Sequence, residues 1–263
     1  MYIGMSMFSL DANGQTSSRL YLVSMGIGDP DNITVRALKT VRQADVVFAM
    51  TRVLENFPEL LQGKEVHNAG HGLFTPMARR KQTDEEADAM EAEARSIIRK
   101  AVKEGKTVAV LDYGDPLVYG PQVGYLKEFR DLNPVVIPGV SSFNAANAVL
   151  AQGVTNGPRN ESVILTAAKT TREGYQGTDP LVKLAESQST LAFFTMGLAL
   201  PEVVRQLMQH YPADTPVAIV LHAGVAEKQS VLQATLDTIV DRTEGGKLPF
   251  EHMIYVGEFL ERA

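Results

Sequence analysis

The sequence predicts an α/β protein built as two domains. Three observations carry this. Short apolar runs at 20–24, 44–49 and 107–111 each have strand length and are followed by a turn or helix signal. Segments with helical spacing alternate with them, the order that feeds a parallel sheet. A second set of strand, glycine turn and helix begins near Pro134, after the first set has closed. The expected layout is a loose extension over 1–19, an N-terminal α/β domain over 20–133 and a C-terminal α/β domain over 134–263.

Taken in order, the strand 20–24 runs into the glycine turn Met25-Gly26-Ile27-Gly28-Asp29-Pro30. Val35, Leu38 and Val41 then recur at helical spacing over 34–43. The strand 44–49 precedes a short helix over 54–61, interrupted at Pro58, and 68–82 reads as irregular. Thr83-Asp84-Glu85-Glu86 is a capping box that opens a long helix. Acids fill its first turn, Arg99, Lys100 and Lys103 its end, and Gly105 stops it, an order that suits the helix dipole. The strand 107–111 leads into the loop Asp112-Tyr113-Gly114-Asp115-Pro116-Leu117-Val118-Tyr119-Gly120. Ligands of open α/β sheets bind beyond the carboxyl ends of the strands, so this loop is the focal stretch of the chain. In the second domain, strands are expected at 135–137, 162–166, 190–194, 217–221 and 253–256. Helices are expected over 144–152 and from Pro201 to about residue 209.

Composition narrows the function. The chain has 263 residues, 44% hydrophobic and 21% charged, the balance of a folded globular protein. With a net charge of -6, nothing favours a nucleic-acid partner. With no cysteine there is no disulfide, thiolate metal site or thiol nucleophile, which fits a reducing cytoplasm. No run is long enough to span a membrane. Residues 1–19 lack a basic region followed by an apolar core, so they do not read as a signal peptide.

Familiar catalytic motifs fail one by one. A dinucleotide fingerprint starting at Gly26 would need its third glycine at Asp31, and no acid ends the second strand, where Ala49, Met50 and Thr51 stand. No phosphate-binding G-K-[ST] and no G-x-S-x-G elbow occurs. His67 and His71 are four apart, but Gly70 and Gly72 argue against the helix a zinc pair would need. Glycine-bearing strand ends remain, with no metal cluster and no nucleophile. They suit a reaction whose reagent brings its own reactivity. A sulfonium methyl donor is such a reagent, because methyl transfer asks mainly for alignment and exclusion of water.

Together these motifs resemble the tetrapyrrole (corrin/porphyrin) methylase family, from Leu20 to about Leu260 and in the family's order. The opening Tyr21-Leu22-Val23-Ser24-Met25-Gly26-Ile27-Gly28-Asp29-Pro30 is similar to its first strand and loop. Gly114-Asp115-Pro116-Leu117-Val118-Tyr119-Gly120 is similar to its most characteristic loop. Pro138-Gly139-Val140-Ser141-Ser142, Phe194-Thr195-Met196-Gly197, Pro216-Val217-Ala218-Ile219-Val220 and Tyr255-Val256-Gly257-Glu258 follow. The resemblance implies an S-adenosylmethionine-dependent methyltransferase with two α/β domains, a ligand cleft between them, and a homodimer. By position it implies donor contacts at Ile27, Gly114, Asp115, Val118, Ser141, Met196, Ala223, Thr235 and His252, mostly through backbone.

The acceptor implied is a tetrapyrrole of precorrin or uroporphyrinogen type, methylated on carbon. The chain looks closest to the cobalamin-pathway members. A tetrapyrrole carries several carboxylates, so cations at the mouth of the site are expected: Arg52 beyond the second strand, and Arg79 and Arg80 before the capped helix. Tyr113 or Asp112 is the candidate to orient the macrocycle or take the departing proton. Two features depart from the siroheme-type members: Ala49-Met50 replaces Tyr-Asp, and Ile27 stands where proline is common. The same fold also serves acceptors such as a peptide backbone, a diphthine precursor or ribosomal RNA. A non-catalytic donor- or tetrapyrrole-binding protein is the remaining alternative.

Overall fold

The computed structural model describes residues 19–80, 82–172, 174–195 and 198–260. The extension over 1–19 therefore lies outside the described residues, apart from Arg19. The described chain forms two five-stranded sheets and divides into two compact units.

The first unit contains β1 (Leu20–Ser24), α1 (Val35–Gln43), β2 (Val46–Ala49), α2 (Thr51–Asn56), α3 (Pro58–Leu61), β3 (Glu65–Asn68), α4 (Asp84–Lys103), β4 (Val108–Asp112), α5 (Gly124–Glu128) and β5 (Val135–Ile137). Its sheet runs in the order β3-β2-β4-β1-β5, every pair parallel. The alternation of side chains along a strand divides the apolar residues between two faces. Leu20, Leu22, Val46, Phe48, Val108 and Val110 pack under α4, against Ala87, Ala94, Ile98 and Ala101. Val23, Val47, Ala49, Ala109 and Leu111 pack on the other face with Ala37, Val41 and Val53. Strands covered on both sides must be apolar throughout, which is why these runs stood out in the sequence.

Local signals set the helix ends. The Thr34 hydroxyl accepts from the Ala37 amide at 3.1 Å and opens α1. The capping box of α4 is complete: Glu86 N–H donates to Thr83 Oγ1 at 3.2 Å and Thr83 N–H to Glu86 Oε2 at 2.9 Å. Pro58 separates α2 from α3.

The second unit contains α6 (Ser142–Leu150), β6 (Val163–Ala167), α7 (Leu181–Ala185), β7 (Thr190–Phe194), α8 (Leu200–Leu207), β8 (Pro216–Leu221), β9 (Ser230–Thr235), α9 (Ile239–Arg242) and β10 (His252–Val256). The sheet order is β6-β7-β10-β8-β9; β6 and β7 are parallel and the other pairs antiparallel. Leu191, Phe193, Val217, Ile219, Ile254 and Val256 face α7, α8 and α9. Ala192, Ala218, Val220, Met253 and Tyr255 face Ala146 and Leu150 of α6.

Two features correct the sequence-based boundary. β5, expected to begin the second domain, completes the first sheet beside β1, with Tyr21 opposite Val135 and Val23 opposite Ile137. The units part at Gly139, and Ile27–Asn32 groups with the second unit although it follows β1 directly. The cause is long-range bonding. Asp29 N–H donates to Gly224 O at 2.8 Å, and Asn32 Nδ2 donates to Gly224 O at 3.0 Å and to Ile27 O at 2.7 Å.

Candidate functional site

All five strands of the first sheet end on one edge because all are parallel, and the focal loop leaves that edge at the end of β4. It is anchored to the neighbouring β1 end. Met25 N–H donates to Asp112 O at 2.9 Å and Gly114 N–H to Gly26 O at 2.7 Å, while the Ser24 hydroxyl donates to Gly114 O at 2.7 Å. Gly114 has φ +84°, the left-handed region that favours glycine, and a Cβ placed there would meet nothing within 4 Å. The open space above it is room for a ligand to lie against backbone.

Asp115 holds this loop in place. Its Oδ1 accepts from Leu117 N–H at 2.9 Å, and its Oδ2 accepts from Gly139 N–H at 3.0 Å. The acid thus joins the focal loop to the Pro138-Gly139 turn at the end of β5. Gly139 is there for space, since a Cβ would come within 2.0 Å of Ser24 Oγ. Leu117 and Tyr119 are exposed, Val118 half-buried.

The two residues considered for proton handling behave differently. Asp112 is 0% exposed. Its Oδ1 accepts from Tyr113 N–H at 2.9 Å and its Oδ2 from Gln122 N–H at 3.1 Å. Burial pushes its carboxyl up to about 7, against the pull of those two bonds. Presenting no surface, it does not meet an acceptor. Tyr113 is partly exposed and carries Arg52, which donates to its hydroxyl at 3.0 Å with the guanidinium 4.2 Å from the ring centroid. Arg52, in the first turn of α2 beyond β2, is thereby brought to the focal loop.

Arg79 is differently engaged. It pairs with Asp84 at 3.4 Å and Glu91 at 3.6 Å, and also with Asp88, so it serves the N-terminal half of α4. The side chain of Arg80 and all of Met196 lie outside the described residues.

In the second unit, Ile27, Ala223 and His252 sit close in the bonding pattern. Ile27 O and the carbonyl of Gly224, next to Ala223, share the Asn32 amide. His252 pairs with Leu221 at the end of β8 that leads to Ala223. His252 Nδ1 lies 2.6 Å from Pro249 O, a carbonyl that only accepts, so Nδ1 carries the proton and Nε2 is an acceptor. Burial lowers the pKa of this imidazole and keeps it neutral. Ser141 caps α6, with its hydroxyl 2.7 Å from Asn144 Oδ1. Thr235 does not join this group. It pairs with Pro216, at the opposite end of β8 from Leu221, about 17 Å away at about 3.3 Å per residue. Its hydroxyl is taken by Asp237 and Thr238 in the turn to α9.

Sequence reading missed several contributors. Asn32 and Asp29, whose Oδ2 accepts from Ala226 N–H at 2.8 Å, shape the turn beside Ala223. Gln122 holds the far end of the focal loop through its bond to Asp112. The only local signal for any of them was the turn-prone string Gly28-Asp29-Pro30-Asp31-Asn32. Among the described residues, no group of three or more His, Asp and Glu side chains is placed to hold a metal ion, and no helix is long and apolar enough to cross a membrane.

Comparison with known proteins agrees with this architecture. The model of the Tetrapyrrole (Corrin/Porphyrin) Methylases matches residues 19–240. A cobalt-precorrin-4 C(11)-methyltransferase of Methanocaldococcus jannaschii is 31% identical over 248 residues, covering 92% of this chain and 88% of its own. The X-ray structure of a cobalamin biosynthetic enzyme, a cobalt precorrin-4 methyltransferase, superposes with a TM-score of 0.69 at 26% identity, over 92% of this chain and 96% of that one. A uroporphyrin-III C-methyltransferase from Thermus thermophilus, solved with S-adenosylhomocysteine, shares the fold, with a TM-score of 0.63 at 24% identity over 92% of this chain and 98% of that one. A family match over this span, joined to the parallel sheet and its glycine loop, leads to one conclusion: the chain belongs to the tetrapyrrole (corrin/porphyrin) methylase family.

Proposed function

We propose that the chain is an S-adenosylmethionine-dependent methyltransferase that C-methylates a tetrapyrrole of precorrin or uroporphyrinogen type. The observation that carries this is the focal loop, with Gly114 left-handed, open space above it, and its carbonyl and amide tied back to β1. Such a loop offers a backbone platform tied at both strands, and donor binding through backbone does not depend on which side chains the loop carries. The donor contacts assigned from the family resemblance are Ile27, Gly114, Asp115, Val118, Ser141, Ala223 and His252, with Asp115 acting by holding the loop. The donor supplies an electrophilic methyl on a cationic sulfur. The protein's residues bind, orient and exclude water. A neutral His252 suits a cationic ligand, and its Nε2 accepts a hydrogen bond.

Arg52 is assigned to a carboxylate of the acceptor, held at the focal loop by its bond to the Tyr113 hydroxyl and its stacking on that ring. The family resemblance extends the reading to a cytoplasmic homodimer. The test is twofold. Calorimetry with S-adenosylhomocysteine should give micromolar binding unchanged by a chelator, and incubation with labelled S-adenosylmethionine and reduced uroporphyrinogen III or a precorrin mixture should label the tetrapyrrole. Absence of binding at millimolar ligand would refute the donor assignment. Binding without transfer to any tetrapyrrole would refute the acceptor.

A further inference from the structure

Asp112 is an acid that the proposed chemistry leaves without a task, and three features of its surroundings agree on one. It ends the central strand of the first sheet, opposite Ser24 of β1, and both residues are 0% exposed. Its two carboxylate oxygens are divided between the two ends of the focal loop: Oδ1 takes the Tyr113 amide at the start, Oδ2 the Gln122 amide at the finish. The loop closes over it so tightly that a Cβ on Gly120 would lie 2.7 Å from Asp112 Oδ2 and 2.4 Å from Pro116 O.

We propose that Asp112 is the positioning residue of the donor loop, its carboxylate clamping the two ends together and so setting the shape in which Gly114 to Val118 receives the methyl donor. This rests on the donor assignment above. A carboxylate can accept both amides at once; a protonated carboxyl offers one good acceptor oxygen and one hydroxyl. Protonation therefore releases one end of the loop. The fully buried site raises the carboxyl to about 7, so the clamp tightens across the neutral range as pH rises. The charged group that acts on Asp112 is Asp115, on the loop itself, and it opposes ionisation. Ser24 from β1, and Gly120 and Gln122 from the far end of the loop, are uncharged. The guanidinium of Arg52 on α2 is engaged with Tyr113.

The experiment uses the full chain. Amide ¹⁵N shifts of Tyr113 and Gln122 are followed from pH 5.5 to 8.5, and S-adenosylhomocysteine affinity is measured by calorimetry at about pH 6 and 8 for the parent and Asp112→Asn. An asparagine keeps the shape but presents one acceptor and one donor. In the parent both amides are expected to titrate together near neutrality, and affinity to rise several-fold toward pH 8. Asp112→Asn is expected to bind about tenfold more weakly, the scale of one charge-assisted hydrogen bond, and to lose the rise in affinity toward pH 8. Amides that do not titrate together, or a variant matching the parent in affinity and pH dependence, would overturn the clamp. If the amides titrate but the parent binds no S-adenosylhomocysteine, the donor assignment falls and the clamp on the loop stands. The amide readout needs only the parent, so a poorly folding variant does not decide the matter.

Discussion

Gly139 and Gly120 show how tightly single atoms define this site. An alanine at 139 would place its Cβ 2.0 Å from Ser24 Oγ. Gly139→Ala is expected to lower stability by about 1–3 kcal/mol, as overpacking does, and to weaken S-adenosylhomocysteine binding because the Asp115 bond to Gly139 shifts; thermal melts and calorimetry measure both. Asp112 makes a separate prediction about stability. Its folded-state pKa, about 7, lies above its ordinary 3.8. Between those values the folded chain holds a proton that the unfolded chain has released, so this residue's contribution falls as pH rises from about 4 to about 7 and is level above. The unfolding free energy of the parent, minus that of Asp112→Asn, should decline across that window. A flat difference would mean the acid is not buried as described. Arg52→Ala is expected to raise KM for a tetrapyrrole and leave donor affinity unchanged; equal loss of both would place Arg52 in the fold rather than at the acceptor. At this scale the sequence was partly readable. Asp115 stood out as an acid in a glycine-proline turn, but its bond to Gly139, twenty-four residues on, has no local trace. Asp112 was a candidate to orient the macrocycle or take the proton because it flanks the donor loop, and the closure of residues 113–122 over it, which makes it dry, has no local trace.

Among the elements, legibility followed burial. The strands at 20–24 and 190–194 appear with the same bounds in sequence and structure, because both are covered on two faces. Neither β3 nor β9 was anticipated as a strand. Both are edge strands with no buried residue and little apolar pattern to betray them. α4 was legible end to end because its signals are local: a capping box at the start, acids then bases, and Gly105 at φ +79° beyond its end. Thr83→Ala should therefore cost about 1 kcal/mol, seen as a melting point lower by about 2–4 °C for a chain of this size. An unchanged melting point would show that α4 is held by its packing alone. Arg79 belongs with this element, since its partners Asp84 and Asp88 lie in the first turns of α4.

At the scale of the whole molecule, the division into two units was readable but its seam was not. A strand and its glycine turn look the same in sequence whichever sheet they join, so β5 was assigned forward and Ile27–Asn32 backward. The chain passes from one unit to the other after Gly26, returns after Asn32 and passes again after Gly139. Asn32→Ala should loosen this arrangement locally. Gly224 O and Ile27 O each lose a donor, and amide exchange over 222–229 should quicken while the β1–β4 core keeps its protection; uniform exchange in both places would show that Asn32 has no such role. The same bond has a consequence for biosynthesis. Asn32 and Gly224 are 192 residues apart, and at about 5–20 residues per second translation separates them by about 10–40 s. The turn that follows the first strand therefore leaves the ribosome long before its partner exists. During that interval it must wait without that partner, a nascent segment open to chaperones, until residue 224 has been made.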